Sequence, residues 1–176
     1  MLPRSVLPRR FLFQGGEHDV WTRGAGRVLK ATRPNEFGTT PYGEGTPYRY
    51  FDRLQLQNLV FGDDTRFEGI ALDAHGAVRV ITSQPWIEGT RPALDEIAEY
   101  FGGLGFRRIA ETAYFHPELG LIAADGHEKN LKKTAADGLV PIDLILAAPE
   151  GEVLEEFRGR FRLDEIGGAD PARLAR

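Results

Sequence analysis

The chain of 176 residues contains no cysteine. That excludes disulfides and cysteine-ligated metal sites, and it fits a cytoplasmic protein. Lysine is scarce: the basic charge is mostly arginine, and the only lysines are Lys30, Lys129, Lys132 and Lys133. The only serines are Ser5 and Ser83, and neither sits in a nucleophile elbow, so a Ser-His-Asp hydrolase is poorly supported. His18, His75, His116 and His127 lack zinc-ligand spacing. No apolar run approaches the roughly 20 residues of a membrane-spanning helix. The basic start, Met1 to Arg10, lacks the apolar stretch of a signal peptide. A net charge of −4 disfavours a general nucleic-acid binder. What is present is 41% apolar, enough for one core, and the length fits a single domain over residues 1–176.

Gly15-Gly16 breaks the apolar stretch Phe11 to Gln14, and His18 to Arg23 then alternates as a strand does. Gly24-Ala25-Gly26 reads as a turn and Arg27 to Thr32 as the returning strand, with Lys30 near its end. Residues 33–47 form a loop. Thr46 before Pro47 marks a helix start, and the helix is expected to run to Val60, with Tyr50, Phe51, Leu54 and Asn58 on adjoining parts of one face. Strands follow at Phe67 to Leu72 and Ala77 to Thr82, with Ser83 to Gly89 leaving the sheet as a connector. Arg91 to Phe101 is expected to be helical, with Leu94, Ile97, Ala98 and Phe101 at helical spacing. Short strands are expected at Phe106 to Ala110 and Ala113 to Phe115. A buried strand is expected over Leu139 to Leu146, with Pro141 near its edge or start. Val153 to Phe161 suits a helix, and the last ten residues are expected to fray. The order suggests a small β-rich lobe followed by a reduced helical one.

The run Asp125-Gly126-His127-Glu128-Lys129-Asn130, followed by Pro141-Ile142-Asp143, carries the chemistry. A carboxylate can accept the proton of an attacking hydroxyl, while an amide oxygen and a second carboxylate suit Mg²⁺. Asp125, Asn130 and Asp143 stand in that order. Lys30 can grip phosphates, and its plain alternative is a surface lysine with its stem on the sheet. Gly15 and Gly16 allow close backbone approach to phosphates; taken alone, the pair is better explained as an ordinary tight turn. Gln84 and Trp86 could contact an adenine ring, Trp86 otherwise being a core aromatic. A phosphate-gripping lysine needs an acid to direct it. The helix from Pro47 offers only Asp52; Glu17 and Glu68 are the other candidates.

These segments, with Asn35-Glu36-Phe37-Gly38 and Phe61-Gly62-Asp63-Asp64, resemble the protein-kinase-like fold, and more narrowly the small kinase domains of polyvalent proteins carried by phages and mobile elements. The resemblance covers about residues 11–149. His127, two positions after Asp125, is also similar to the aminoglycoside and choline kinase loop. The resemblance implies an α+β fold: a minimal kinase-like architecture with a small antiparallel sheet lobe and one helix at about 11–87, then a reduced helical lobe at 88–176. It implies ATP and Mg²⁺ as cofactors, with Lys30 on the phosphates, Asp125 as the catalytic acid-base group, and Asn130 and Asp143 as metal ligands. The chain departs from the pattern at Ala123, where a histidine is usual, and at Leu144-Ile145 in place of Phe-Gly. With only residues 144–176 after Asp143, most of the peptide-docking helices are expected to be missing. Three functions stay open: a kinase whose acceptor, a protein hydroxyl or a small molecule, is unknown; a pseudokinase-like binding module; and, implied by the mobile-element resemblance alone, a toxin or anti-host factor acting on a host protein or RNA.

Overall fold

The structure is a computed structural model and describes residues 12–24, 26–40 and 43–161. The basic stretch 1–10, Phe11 and the fraying expected at the last ten residues lie outside the described residues. Contacts divide the chain into two units, Met1–Leu54 with Asp63–Trp86, and Gln55–Gly62 with Ile87–Arg176.

In unit 1 the chain forms β1 (Phe13–Gln14), β2 (His18–Arg23), β3 (Arg27–Thr32), the two-residue strands β4 (Thr39–Thr40) and β5 (Gly43–Glu44), and the first half of α1 (Pro47–Phe61). β6 (Arg66–Leu72) and β7 (Val78–Pro85) complete it. Five strands make one antiparallel sheet in the order β1-β2-β3-β7-β6. Side chains alternate across it. One face buries Trp21, Leu29, Ala31, Ala71 and Ile81. The register Val20↔Lys30↔Thr82 puts Lys30 on the other face. There His18 Nε2 and the hydroxyl of Tyr50 on α1 are hydrogen-bonded at 2.9 Å.

α1 begins as its sequence signals: the Thr46 hydroxyl accepts from Arg49 N–H at 3.3 Å, and Pro47 takes the first helical position. Its most buried stripe is Tyr50, Arg53, Gln57 and Val60, not the expected face of Tyr50, Phe51, Leu54 and Asn58. Two polar residues in that stripe hide it from a search for apolar spacing. The expected connector at Ser83 is also corrected. β7 continues through Pro85, because Leu29↔Ser83, Val28↔Gln84 and Arg27↔Pro85 extend its pairing with β3.

Unit 2 takes the second half of α1, then α2 (Leu94–Gly103), β8 (Arg107–Ala110), β9 (Ala113–His116), β10 (Leu121–Ala124), β11 (Leu131–Thr134), β12 (Gly138–Pro141), β13 (Ile145–Ala147) and α3 (Gly151–Phe161). An antiparallel sheet runs β13-β10-β9-β8, and β11 and β12 form a separate ribbon. The unit is therefore itself α+β, where a reduced helical lobe was expected. Its core gathers Val60, Ile97, Phe101, Tyr114, Leu121 and Leu144. Phe101 stacks on Tyr114 with ring centroids 4.1 Å apart. Burying each such side chain contributes roughly 1.5–3 kcal/mol.

Two expectations change here. α2 starts at Leu94 rather than Arg91. Thr90 exchanges both backbone hydrogen bonds with Lys133, which holds the chain extended, and Ala93 N–H donates to Glu96 Oε2 at 2.9 Å. Leu94 is exposed rather than part of the core. The apolar run Leu139 to Leu146 is two strands, β12 and β13, separated by a bend at Ile142-Asp143. Among the described residues, no helix is long and apolar enough to cross a membrane.

One buried carboxylate organises the charges of unit 1. Asp19 meets Arg79 at 2.5 Å and Arg33 at 3.5 Å, and accepts from Gln14 at 3.0 Å. The Arg79 guanidinium lies 6.0 Å from the centre of the Trp21 ring. Asp19→Ala would strand a largely buried guanidinium. We expect a loss of about 3 kcal/mol in urea unfolding followed by Trp21 fluorescence; a loss below about 1 kcal/mol would reduce the network to surface-type pairing.

Candidate active site

The sequence-predicted residues fall into two sets, one in each unit. In unit 1, Gly15 and Gly16 occupy the turn between β1 and β2, closed by Gly15 N–H donating to the His18 carbonyl at 2.8 Å. Arg33 holds this turn from one side. Its guanidinium donates to the carbonyls of Gly15 at 2.8 Å and Gly16 at 3.4 Å, and its N–H donates to the Glu17 carbonyl at 3.0 Å. In a trans peptide the N–H points opposite to the C=O. The Gly16 and Glu17 N–H groups are therefore turned away from Arg33. A Cβ at Gly16 would meet nothing within 4 Å, so the backbone is open to approach.

Lys30 is 9% exposed and shares its sheet face with Gln84, since Val28↔Gln84 and Lys30↔Thr82 are paired. Gln84 belongs to β7, not to a connector. Trp86 lies just beyond the strand, is 47% exposed and donates its N–H to the Gly26 carbonyl at 2.7 Å; the buried tryptophan is Trp21.

Two of the candidate acids for Lys30 have arginine partners. Glu68 accepts the Ser83 hydroxyl at 2.6 Å and pairs with Arg23. Ser83 lies on the face opposite Thr82 and Lys30. The Ser83 hydrogen bond, with help from Arg23, holds the Glu68 carboxyl below its usual range. Glu17 pairs with Arg53 of α1 at 2.8 Å. The sequence reading missed Arg53 and Arg33; the signal available was an arginine three positions after Tyr50, on the inward turn of α1.

In unit 2, Asp125 takes a left-handed backbone conformation, φ 60°. This costs a residue with a Cβ roughly 1–2 kcal/mol. Local bonds offset it. Asn130 Nδ2 donates to the Asp125 carboxylate at 2.6 Å and to its carbonyl at 3.0 Å. His127 Nδ1 accepts the Lys129 N–H at 3.1 Å. In the neutral ring the proton then sits on Nε2, which lies 3.2 Å from the other Asp125 carboxylate oxygen. Both oxygens of Asp125 are thus oriented, and each keeps a further lone pair for a hydroxyl.

Asp143 is fixed through its neighbours. Ile142 N–H donates to the Asn130 carbonyl at 2.9 Å, and Gln57 of α1 donates to the Leu144 carbonyl. The structure thereby brings Asp125, Asn130 and the Asp143 bend together within unit 2. Because Asn130 turns its Nδ2 to Asp125, its amide oxygen faces away and suits a cation. Among the described residues, no group of three or more His, Cys, Asp or Glu could hold a metal.

The family model for a serine/threonine/tyrosine kinase found in polyvalent proteins matches residues 2–148. The chain belongs to this kinase family. No curated protein and no solved structure matches it.

The Asp125 loop is seated on the aromatic stack of unit 2. A Cβ at Gly126 would come within 3.1 Å of Tyr114, 3.2 Å of Phe101 and 3.3 Å of the Thr112 carbonyl. Gly126→Ala is expected to cost about 1–3 kcal/mol in urea unfolding followed by circular dichroism. An unchanged midpoint would show that the loop yields without cost.

Proposed function

We propose that the protein is an ATP- and Mg²⁺-dependent phosphotransferase, with a protein serine, threonine or tyrosine hydroxyl as the acceptor favoured by the family's description. The observation that carries this reading is the Asp125–Asn130 hydrogen bond beside the anchored Asp143 bend. It orients a proton acceptor and turns the Asn130 amide oxygen away from that carboxylate. The sheet supports it too: a glycine turn joins its first two strands and Lys30 lies on the third, as in protein kinases. On this reading unit 1 corresponds to the sheet lobe and unit 2 to a reduced second lobe, and the protein acts in the cytoplasm.

Each residue then has a role that follows from its chemistry. Lys30 places a positive charge on the α- and β-phosphates. The N–H groups of Gly16 and Glu17 suit phosphate oxygens, and Gln84 and Trp86 suit the base. Asp125 aligns the acceptor hydroxyl and takes its proton as the oxygen attacks the γ-phosphorus, while the bond from that phosphorus to the β,γ-bridging oxygen breaks and ADP leaves with the electron pair. Asn130 and Asp143 hold the metal, which when bound neutralises charge on the phosphates.

A second reading, a nucleotide- or partner-binding module without transfer, is favoured by Arg53 on the inward face of α1, where kinases place a glutamate, and by Leu144-Ile145 after Asp143. Thermal unfolding with ATP, with and without Mg²⁺, combined with a transfer assay, separates the two. Saturating nucleotide should stabilise the fold by on the order of 2.7 kcal/mol at a hundredfold excess over Kd. Asp143→Ala should remove the Mg²⁺-dependent part. Asp125→Ala should keep binding and abolish transfer; transfer that survives it rejects the role given to Asp125.

A further inference from the structure

Deepening the nucleotide-binding reading of Lys30, we infer that Glu17, in the glycine turn, is the carboxylate that positions Lys30, and that Arg53 of α1 is the residue that holds Glu17 in place. Three observations within unit 1 carry this. First, Lys30 lies on the face of the sheet that α1 covers. Val20↔Lys30 and His18↔Thr32 make Lys30 and His18 diagonal neighbours on one face, and His18 bonds to Tyr50. Arg53, one turn further along α1, is 4% exposed. Two buried cations, one on the sheet and one on the helix, therefore need counter-charges.

Second, the other acids are placed elsewhere. Glu68 is engaged by Ser83 and Arg23 on the opposite face. Asp52 is rotated about a third of a turn from the inward stripe of α1. Glu17 stands three residues before Val20, so its backbone is about 10 Å along the strand from the level of Lys30, within reach of two long side chains that lean together.

Third, the Glu17 carboxylate is partly shielded, its side chain being 24% exposed. A Cβ at Gly38, whose φ is +74°, would lie 3.1 Å from the Arg53 guanidinium and 3.2 Å from Glu17 Oε2. Only a glycine lets the 33–38 loop approach the pair this closely, and a partly shielded carboxylate acts more strongly on both cations than one in open water. Arg53 is thus a positioning residue. It turns the carboxylate inward, and the carboxylate directs the lysine.

The four lysines make the test direct. Lysine-selective ¹⁵N labelling displays the ammonium groups of Lys30, Lys129, Lys132 and Lys133, and Lys30→Arg identifies the first by its loss. In the nucleotide-free full chain, the Lys30 ammonium should exchange slowly with water and show a correlation through its hydrogen bond to the Glu17 carboxylate carbon. Glu17→Gln should remove the protection, whereas Asp52→Asn and Glu68→Gln should retain it. A Lys30 ammonium that exchanges as fast as its surface counterparts, or one protected in Glu17→Gln, overturns the assignment. With MgATP as the probe, Glu17→Gln should weaken binding roughly tenfold to a hundredfold, the worth of one charge-assisted hydrogen bond. Adding Arg53→Glu to that variant, which returns a carboxylate from the helix side, should recover most of the loss. If the wild-type chain does not bind MgATP, the nucleotide reading fails, and the ammonium measurements still decide the pairing.

Discussion

The inward stripe of α1 sets a demand that the rest of the structure meets. It places an arginine and a glutamine, Arg53 and Gln57, at 4% exposure each, and buried polar groups are tolerated only when hydrogen-bonded. In unit 1 the demand is met by Glu17, which ties the helix to the glycine turn. In unit 2 it is met by the Leu144 carbonyl, which ties the helix to the residue after Asp143. Apolar residues at positions 53 and 57 would pack at least as well. They would leave the turn and the bend to be fixed by other means. One helix thus orders two separate segments by side-chain satisfaction.

The second constraint is local to unit 2. Asp125 needs a left-handed backbone to leave β10 and turn into the loop, and the five-residue spacing lets Asn130 come back to its carboxylate and carbonyl. The amide then has a defined sense. Its nitrogen is drawn to the carboxylate, so its oxygen is presented on the other side. Gly126, wedged against Phe101, Tyr114 and Thr112, keeps that arrangement on the core. A polar loop gains its rigidity from an aromatic stack beneath it.

Much of this was legible in the residues. β2 and β3 were bounded correctly because glycines flank β2 and open β3, and Arg33-Pro34 begins the loop that ends β3. The start of α1 followed from Thr46-Pro47. The spacing of Asp125, Asn130 and Asp143 pointed to the loop that the structure builds. What failed did so for physical reasons. The run Leu139 to Leu146 reads as one strand because apolar content cannot reveal a bend, and that bend depends on two long-range bonds, to Asn130 and from Gln57. α2 starts late because Thr90 pairs with Lys133, a partner far along the chain. Arg53 was overlooked because an acid was sought on the helix. Charge complementarity is fixed by three-dimensional pairing, not by which element carries which sign.

That last point bears on the chemistry. A carboxylate in a turn that receives phosphates would by itself repel them. Glu17 can stand there because its charge is already matched by Arg53, with Lys30 adding a second cation and Arg33 holding the carbonyls of the same turn. Taken together, these four side chains keep a net positive charge beside backbone N–H groups turned away from Arg33. On the inferred pairing, exchanging the usual order, with the cation on the helix and the acid on the turn, would preserve both the direction imposed on Lys30 and the attraction for an anion. It would also make the glycine turn part of the device that aims the lysine. A change in the turn's conformation would then be felt at Lys30 through Glu17, with no displacement of α1 required.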